Sequence, residues 1–238
     1  MTPSDAVLLR NALCAVDWNS LVLHFLGYPD LPVGVTQSAA RIALWSRQLE
    51  NAESGNPAIS FVREMQSAGH DAVTLASLAL YKPSAASTRT VVEDALYYTY
   101  FRTHPSELTT LVRDPNYFIS KTEIIEYHRT HTPNFAKYQA CFDLVAQLNK
   151  WYSHISSIVH GQIPGVWTTH KSISETKHVM TNLEAAVAQF QQAEGIVHHL
   201  FLCTVGVELW DTFSPEAKSK LIAGIPGKTK ATLGLEAA

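Results

Sequence analysis

The sequence predicts an all-α protein, a helical bundle of roughly seven to nine helices around one long central helix. Three observations carry that reading. Apolar residues recur at steps of three and four through most of the chain, the spacing that gathers side chains on one helix face. Helix-entry signals recur as well. Thr2-Pro3-Ser4-Asp5, Ser120-Lys121-Thr122-Glu123, Ser172-Ile173-Ser174-Glu175 and Ser214-Pro215-Glu216 each place a hydroxyl ahead of a proline, an acidic residue or both. Finally, no segment alternates apolar and polar residues as a half-buried strand does, and neither an internal repeat nor a low-complexity tail is present.

The elements follow in order. The Thr2 signal opens a helix carrying Val7, Leu8, Leu13 and Val16, and apolar character persists to Leu26. Gly27-Tyr28-Pro29-Asp30 breaks it, and Pro32 and Gly34 extend the loop until Thr36 opens a second helix with Ile42, Trp45 and Leu49 on one face. Asn51 to Pro57 reads as a turn. A short helix with Phe61, Val62 and Met65 ends near Gly69, and Asp71 caps the next. Pro83 to Ser87 is the most linker-like stretch, so the expectation is an N-terminal helical portion over residues 1–83 and the main bundle over 84–238, or a single domain overall. Thr88 to Thr103 is a helix whose aromatics, Tyr97, Tyr98, Tyr100 and Phe101, are too many for one face. Ser106 starts a short turn of helix, and Ser120 opens another that runs to His131.

The central helix is read from Thr132 to Gly161. Thr132 and Pro133 supply the entry, and Gly161 can take the left-handed conformation that closes a helix. Tyr138, Cys141, Val145, Leu148, Tyr152, Ile155 and Val159 draw its apolar stripe. One residue further round lies a polar strip, Asn149, Ser153, Ser156 and His160, bordering the buried face. Beyond a Pro/Gly loop carrying Trp167, helical spacing resumes from Val179 to about Trp210, with a break at Gly195 or Gly206. Ser214 caps a last helix ending at Gly224 or Gly227.

The totals narrow the function classes. At 238 residues the chain can bury roughly 70% of its extended surface, enough to fold without a disulfide or metal staple. Charged residues make up 16%, below the roughly 25% of average domains, which suits a subunit that covers part of its surface by self-association. A net charge of −3 gives no global basic field. Cys14, Cys141 and Cys203 stand far apart in apolar contexts and are expected as buried free thiols of a reducing cytosol. The N-terminus lacks a basic leader and no run of 18 apolar residues occurs, so a cytoplasmic protein with no membrane span is expected. No P-loop, zinc ribbon or nucleophile elbow is present, and no cofactor or metal is expected.

Chemistry is sought on the polar strip. Ser156 and His160 stand one turn apart, a hydroxyl and an imidazole placed for proton transfer. His128-Arg129-Thr130-His131 is the densest cationic cluster, able to meet a phosphate or to cap its own helix. Arg102, His104 and Glu107 share one turn region, as a cleft or as a loop-stitching ion pair.

A long helix ending in Tyr152-x-x-x-Ser156-x-x-x-His160-Gly161 resembles the signature helix of HEPN-like helical proteins of prokaryotic abortive-infection, toxin–antitoxin and phage-defence systems. The resemblance covers about residues 88–210. It implies a helical bundle that dimerises and, in active members, cleaves RNA without metal at a cleft between protomers. Active members use an arginine, a polar residue, a short spacer and a histidine. His160 matches that histidine, whereas the arginine positions hold Ser153, His154 and Ile155. The expectation is therefore a catalytic set of His160, Ser156 and His154. Ser153, Asn149, Arg129 and Arg102 are the expected substrate contacts, with Arg113 a further distant cation. The expected partners are RNA, a protein from the same operon and a second copy of the chain. The competing reading is a non-enzymatic adaptor or regulatory subunit, and a third is a small-ligand sensor using the aromatic residues.

Overall fold

A computed structural model describes residues 4–168 and 170–235, and every described element is helical. The order is α1 (Asp5–Cys14), α2 (Trp18–Leu26), α3 (Asp30–Ala52), α4 (Ile59–Ser77), α5 (Tyr81–Phe101), α6 (Pro105–Arg113) and α7 (Lys121–His131). There follow α8 (Phe135–Ala140), α9 (Leu144–Val159), α10 (Met180–Cys203), α11 (Val205–Leu209), α12 (Pro215–Leu221) and α13 (Gly227–Leu233). Two single 3-10 turns, Ile173–Glu175 and Trp210–Thr212, complete the set. The all-α class is as expected, but there are thirteen α-helical segments among the described residues, several of them short.

The centre of the molecule is α5, not the Thr132–Gly161 segment. α5 packs along α4, crosses α10 and also meets α9 and α7, while α10 lies against α3. Its register explains this: Val91, Val92, Ala95, Leu96, Tyr98 and Phe101 are all buried, and even Ser84, Ala85 and Thr88 at its N-terminal end are covered. Pro83-Ser84-Ala85-Ala86-Ser87 is therefore helix rather than linker, and the division at 83/84 falls in the first turns of α5. Pro83 sits there at the third helical position, where its missing N–H would have no intrahelical partner. The same rule places Pro32 in the first turn of α3, which begins at Asp30 and not at Thr36.

The expected break near Gly69 is absent, and α4 runs through it unbroken. A Cβ at Gly69 would meet Ile42 of α3 and Phe190 of α10 at ordinary contact distances of 3.6 and 3.8 Å, so the position is a buried helical one and not a chain break. The expected central helix is divided instead. Thr132 closes α7, and Asn134 and Asp143 take left-handed backbone at φ 59° and 51°, the first ahead of α8 and the second between α8 and α9. Asn and Asp tolerate that conformation better than other non-glycine residues.

The buried face of α9 is Leu144, Leu148, Trp151, Ile155 and Ile158: Leu148 and Ile155 are buried as expected, while Leu144, Trp151 and Ile158 take the places expected for Val145, Tyr152 and Val159. Val145, Tyr152 and Val159 are only half-buried and Cys141 is exposed. Tyr152 thus belongs to the polar margin. α9 ends as the sequence indicates, in a Schellman turn: Gly161 has φ 67°, its N–H donates to the Ile158 carbonyl, and Gln162 N–H donates to the Ser157 carbonyl.

Other entry signals fare unevenly. Ser120 and Glu123 form a complete capping box, and Ser214 accepts from Ala217 N–H ahead of Pro215. Ser172–Glu175 yields only the 3-10 turn, and α10 starts later, at Met180. α10 passes Gly195 and breaks at Thr204. Thr2 and Pro3 lie outside the described residues. Cys14 is exposed like Cys141, and only Cys203 is the expected buried thiol.

α1 buries no residue and packs against the 3-10 turn at Ile173–Glu175. Leu8, Leu9, Leu23 and Leu26 stay exposed, and the Asp5–Leu26 segment has a mean hydropathy of 1.3, apolar enough by composition to cross a membrane.

Candidate functional site

The polar margin of α9 faces α5 and the start of α7. His160, the C-cap of α9, places Nε2 2.9 Å from Nη1 of Arg89 on α5. Arg89 Nη2 donates to the Tyr152 hydroxyl and to Glu93 Oε1, both at 2.8 Å, and the Tyr152 hydroxyl donates to Glu93 Oε1 at 2.5 Å. Lys121 Nζ donates to Asn149 Oδ1 and lies 5.4 Å from the centre of the Tyr152 ring. The Arg89 guanidinium carbon lies 5.0 Å from the same centre, so two cations share one aromatic ring.

These contacts fix protonation states. A guanidinium only donates, so His160 Nε2 is the acceptor and the imidazole carries its proton on Nδ1 while this bond is made. Burial opposes the charge on Arg89, but Glu93 and the Tyr152 hydroxyl outweigh it and hold its pKa above the ordinary arginine value. Tyr152 is a neutral phenol, because burial and the Glu93 carboxylate raise its pKa against the pull of Arg89. Burial lowers the pKa of Lys121. Two polar atoms of the cluster, Arg89 Nε and Ser156 Oγ, are shielded from solvent without a hydrogen-bond partner among the described residues.

A cleft of about 400 Å³ opens beside this network, lined by Arg89, Lys121 and Tyr152 together with Tyr97, Phe118 and Ile119. Lys82 adds charge at its His160 end: its Nζ lies 3.4 Å from where a Cβ of Gly161 would stand. Lys82 and Arg89 are seven residues apart and share a face of α5. Next in the chain to Glu93, Asp94 is buried with Oδ2 unpartnered among the described residues. Burial, then Glu64 and Glu93, push its carboxyl up to about 7.

Of the residues singled out in the sequence, the fold brings together His160 and Asn149 with Arg89, Tyr152 and Lys121. Ser156 lies on the same helix, one turn before His160. Ser153 is exposed. His154 lines a different groove, formed with Gln147, Lys150 and Trp151 of α9 and Gln189 and Gln192 of α10. Arg102 has a side chain only 7% exposed and is held by Glu53 and Glu208 rather than by Glu107. Glu107 instead accepts from the hydroxyls of Tyr100 and Tyr117. Arg129 pairs with Glu126 on the outside of α7.

In the His128–His131 segment, Arg129 and His131 face outward while His128 points inward. His128 is buried, bonds Thr99 and Thr132, and has its pKa lowered to about 4 by burial, then by Arg102 and His104, so it is neutral. Among the described residues no three His, Cys, Asp or Glu side chains gather as a metal site.

The sequence reading missed Arg89, Glu93 and Lys121. Arg89 and Glu93 are an i,i+4 pair on one helix, a visible signal for an exposed face, but nothing local says that this face meets His160. No family model, curated protein or solved structure matches the chain.

Proposed function

We propose that this chain is a HEPN-like component of a bacterial defence or toxin–antitoxin system that acts on RNA, with His160 as its proton-transfer residue and Arg89 as its phosphate cation. The observation that carries the reading is the 2.9 Å contact between Arg89 Nη1 and His160 Nε2. Histidine-type RNA cleavage needs a base for the 2′-hydroxyl proton and a cation for the charge on the phosphorane. The helix that carries His160 lacks that arginine, and α5 supplies one from 71 residues away.

The chemistry follows. A bound phosphodiester draws the Arg89 guanidinium to a non-bridging oxygen and frees His160 Nε2. That nitrogen takes the 2′-hydroxyl proton as the 2′-oxygen bonds to phosphorus. The bond to the 5′-oxygen breaks, leaving a 2′,3′-cyclic phosphate, and the departing oxygen takes a proton from Lys121, whose pKa burial lowers. Tyr152 and Glu93 hold the guanidinium in place, and Ser156 and Asn149 border the path. His154, on its separate groove, falls out of the catalytic set in this reading.

The second reading, an adaptor that binds a protein partner, draws support from α1 and α2, whose exposed Leu8, Leu9, Leu23 and Leu26 lack cover. Self-association as a homodimer through this surface is compatible with either reading, as is a cytoplasmic location. Labelled RNA incubated with wild type, His160→Ala and Arg89→Ala decides between them. Cleavage lost in both variants supports the nuclease, and no cleavage by the wild type leaves the adaptor. A mass measurement in solution tests the dimer.

A further inference from the structure

We infer that the cleft beside Arg89 is a nucleotide subsite, in which Phe118 stacks a nucleobase while Arg89 and Lys121 hold its phosphate. The inference rests on the RNA reading above and names what that site holds. Phe118 is 72% exposed yet lines the cleft with both cations and with Tyr97. A lone exposed aromatic is common on protein surfaces and means little by itself. Here the neighbouring chain is fixed while the ring is left out. Tyr117 is tied to Glu107 through its hydroxyl, Ile119 is buried, and Ser120 closes the capping box with Glu123. The backbone therefore presents the phenyl ring at little ordering cost, which is what a stacking platform needs.

Charge and shape agree with a nucleotide. The cleft, at about 400 Å³, has room for a base with its sugar. Its polar lining includes Arg89, Lys121 and Tyr152 with the Glu93 carboxylate that pairs with Arg89, which leaves Lys121 as the cation without a carboxylate partner in the lining, and its apolar lining includes Leu96, Ile119 and Ile124. Lys82, Arg89 and Lys121 form a local cationic group on a chain whose net charge is −3, and that group extends from the cleft toward His160. A single strand can lay its phosphates along these cations with one base turned onto Phe118, whereas a paired base has no face free to stack.

The test is titration of the full chain with 3′-AMP, adenosine and inorganic phosphate, followed by calorimetry or by amide shifts. The variants are Phe118→Ala, Phe118→Trp and Lys121→Gln. The expected result is that 3′-AMP binds more tightly than either fragment. Phe118→Ala weakens it about tenfold, Phe118→Trp restores it, and phosphate binding responds to Lys121→Gln but not to Phe118. Binding of 3′-AMP no tighter than phosphate, or unchanged in Phe118→Ala, overturns the subsite. The two readings fail separately. Nucleotide binding without RNA cleavage removes the nuclease and keeps the subsite. Cleavage with unaltered 3′-AMP binding in Phe118→Ala does the reverse.

Discussion

Arg89 and His160 meet at 2.9 Å although 71 residues separate them, and the direction of that bond is fixed because a guanidinium cannot accept. In the proposed nuclease reading the pair is a resting arrangement in which the imidazole's lone pair is masked by the cation that would receive phosphate. Arg89→Ala and His160→Ala are each expected to lower RNA cleavage by about 10²- to 10³-fold. Groups that act as a unit are non-additive, so the double variant is expected to lose little more than either single one. Rates of the four proteins in one cleavage assay check this, and fully multiplicative losses would separate the two residues.

Gly161 closes α9 at φ 67°, a conformation that costs an L side chain about 1 kcal/mol or more. A Cβ there would meet only Lys82 Nζ, at an ordinary contact distance of 3.4 Å, so the cost lies in the backbone. Gly161→Ala is expected to destabilise the fold by about 1 kcal/mol and to shift the C-cap residue His160 relative to Arg89. Urea unfolding gives the first effect, and cleavage rates corrected for the folded fraction give the second. Unchanged stability would mean that the turn relaxes freely.

How much of this was legible in the sequence can be argued from single residues. The capping box at Ser120, the exit at Gly161 and the polar margin at Asn149 and His160 are local patterns that the fold keeps, whereas the equally local signal at Ser172–Glu175 yields only a 3-10 turn. The shift within the α9 stripe was not legible, because Trp151 and Tyr152 are adjacent and both apolar enough to bury. The choice fell to Trp151, whose Nε1 finds the Gln189 carbonyl of α10. Tertiary packing also turned Pro83–Ser87 from an apparent linker into helix, since Ala85 and Thr88 fill space beneath neighbouring helices. Arg89 was hidden for a related reason: its value lies in a contact between α5 and α9 that no spacing within either helix encodes.

Asp94 makes a pH-dependent prediction about stability. Its carboxyl, at about 7 in the fold against the ordinary 3.8, keeps a proton that the unfolded chain gives up. Its ionisation therefore opposes folding. The cost is absent below about pH 4, grows as pH rises to about 7, and levels off above at on the order of 4 kcal/mol. Asp94→Asn removes the charge, so its stability relative to wild type is expected to improve from pH 4.5 to pH 8. Urea unfolding of both proteins at the two pH values measures it, and a difference that does not change with pH would contradict the assignment.

His199 acts with the opposite sign. It is stacked on Phe142 with ring centres 4.1 Å apart, and its Nδ1 is shielded without a partner among the described residues. Burial, then the positive charge of Arg41, lower its pKa to about 4 from the ordinary 6.5. The unfolded chain therefore binds a proton that the folded chain refuses. The stability this neutral ring supports is fully present above about pH 6.5 and is lost as pH falls toward 4, on the order of 3 kcal/mol in all. His199→Phe keeps an aromatic face for Phe142 and abolishes the titration. Its stability relative to wild type is expected to rise by a few kcal/mol between pH 7 and pH 4. The slope of unfolding free energy against pH, which should decrease by about one bound proton near pH 5, reads this directly, and parallel curves for the two proteins would place the acid-sensitive group elsewhere.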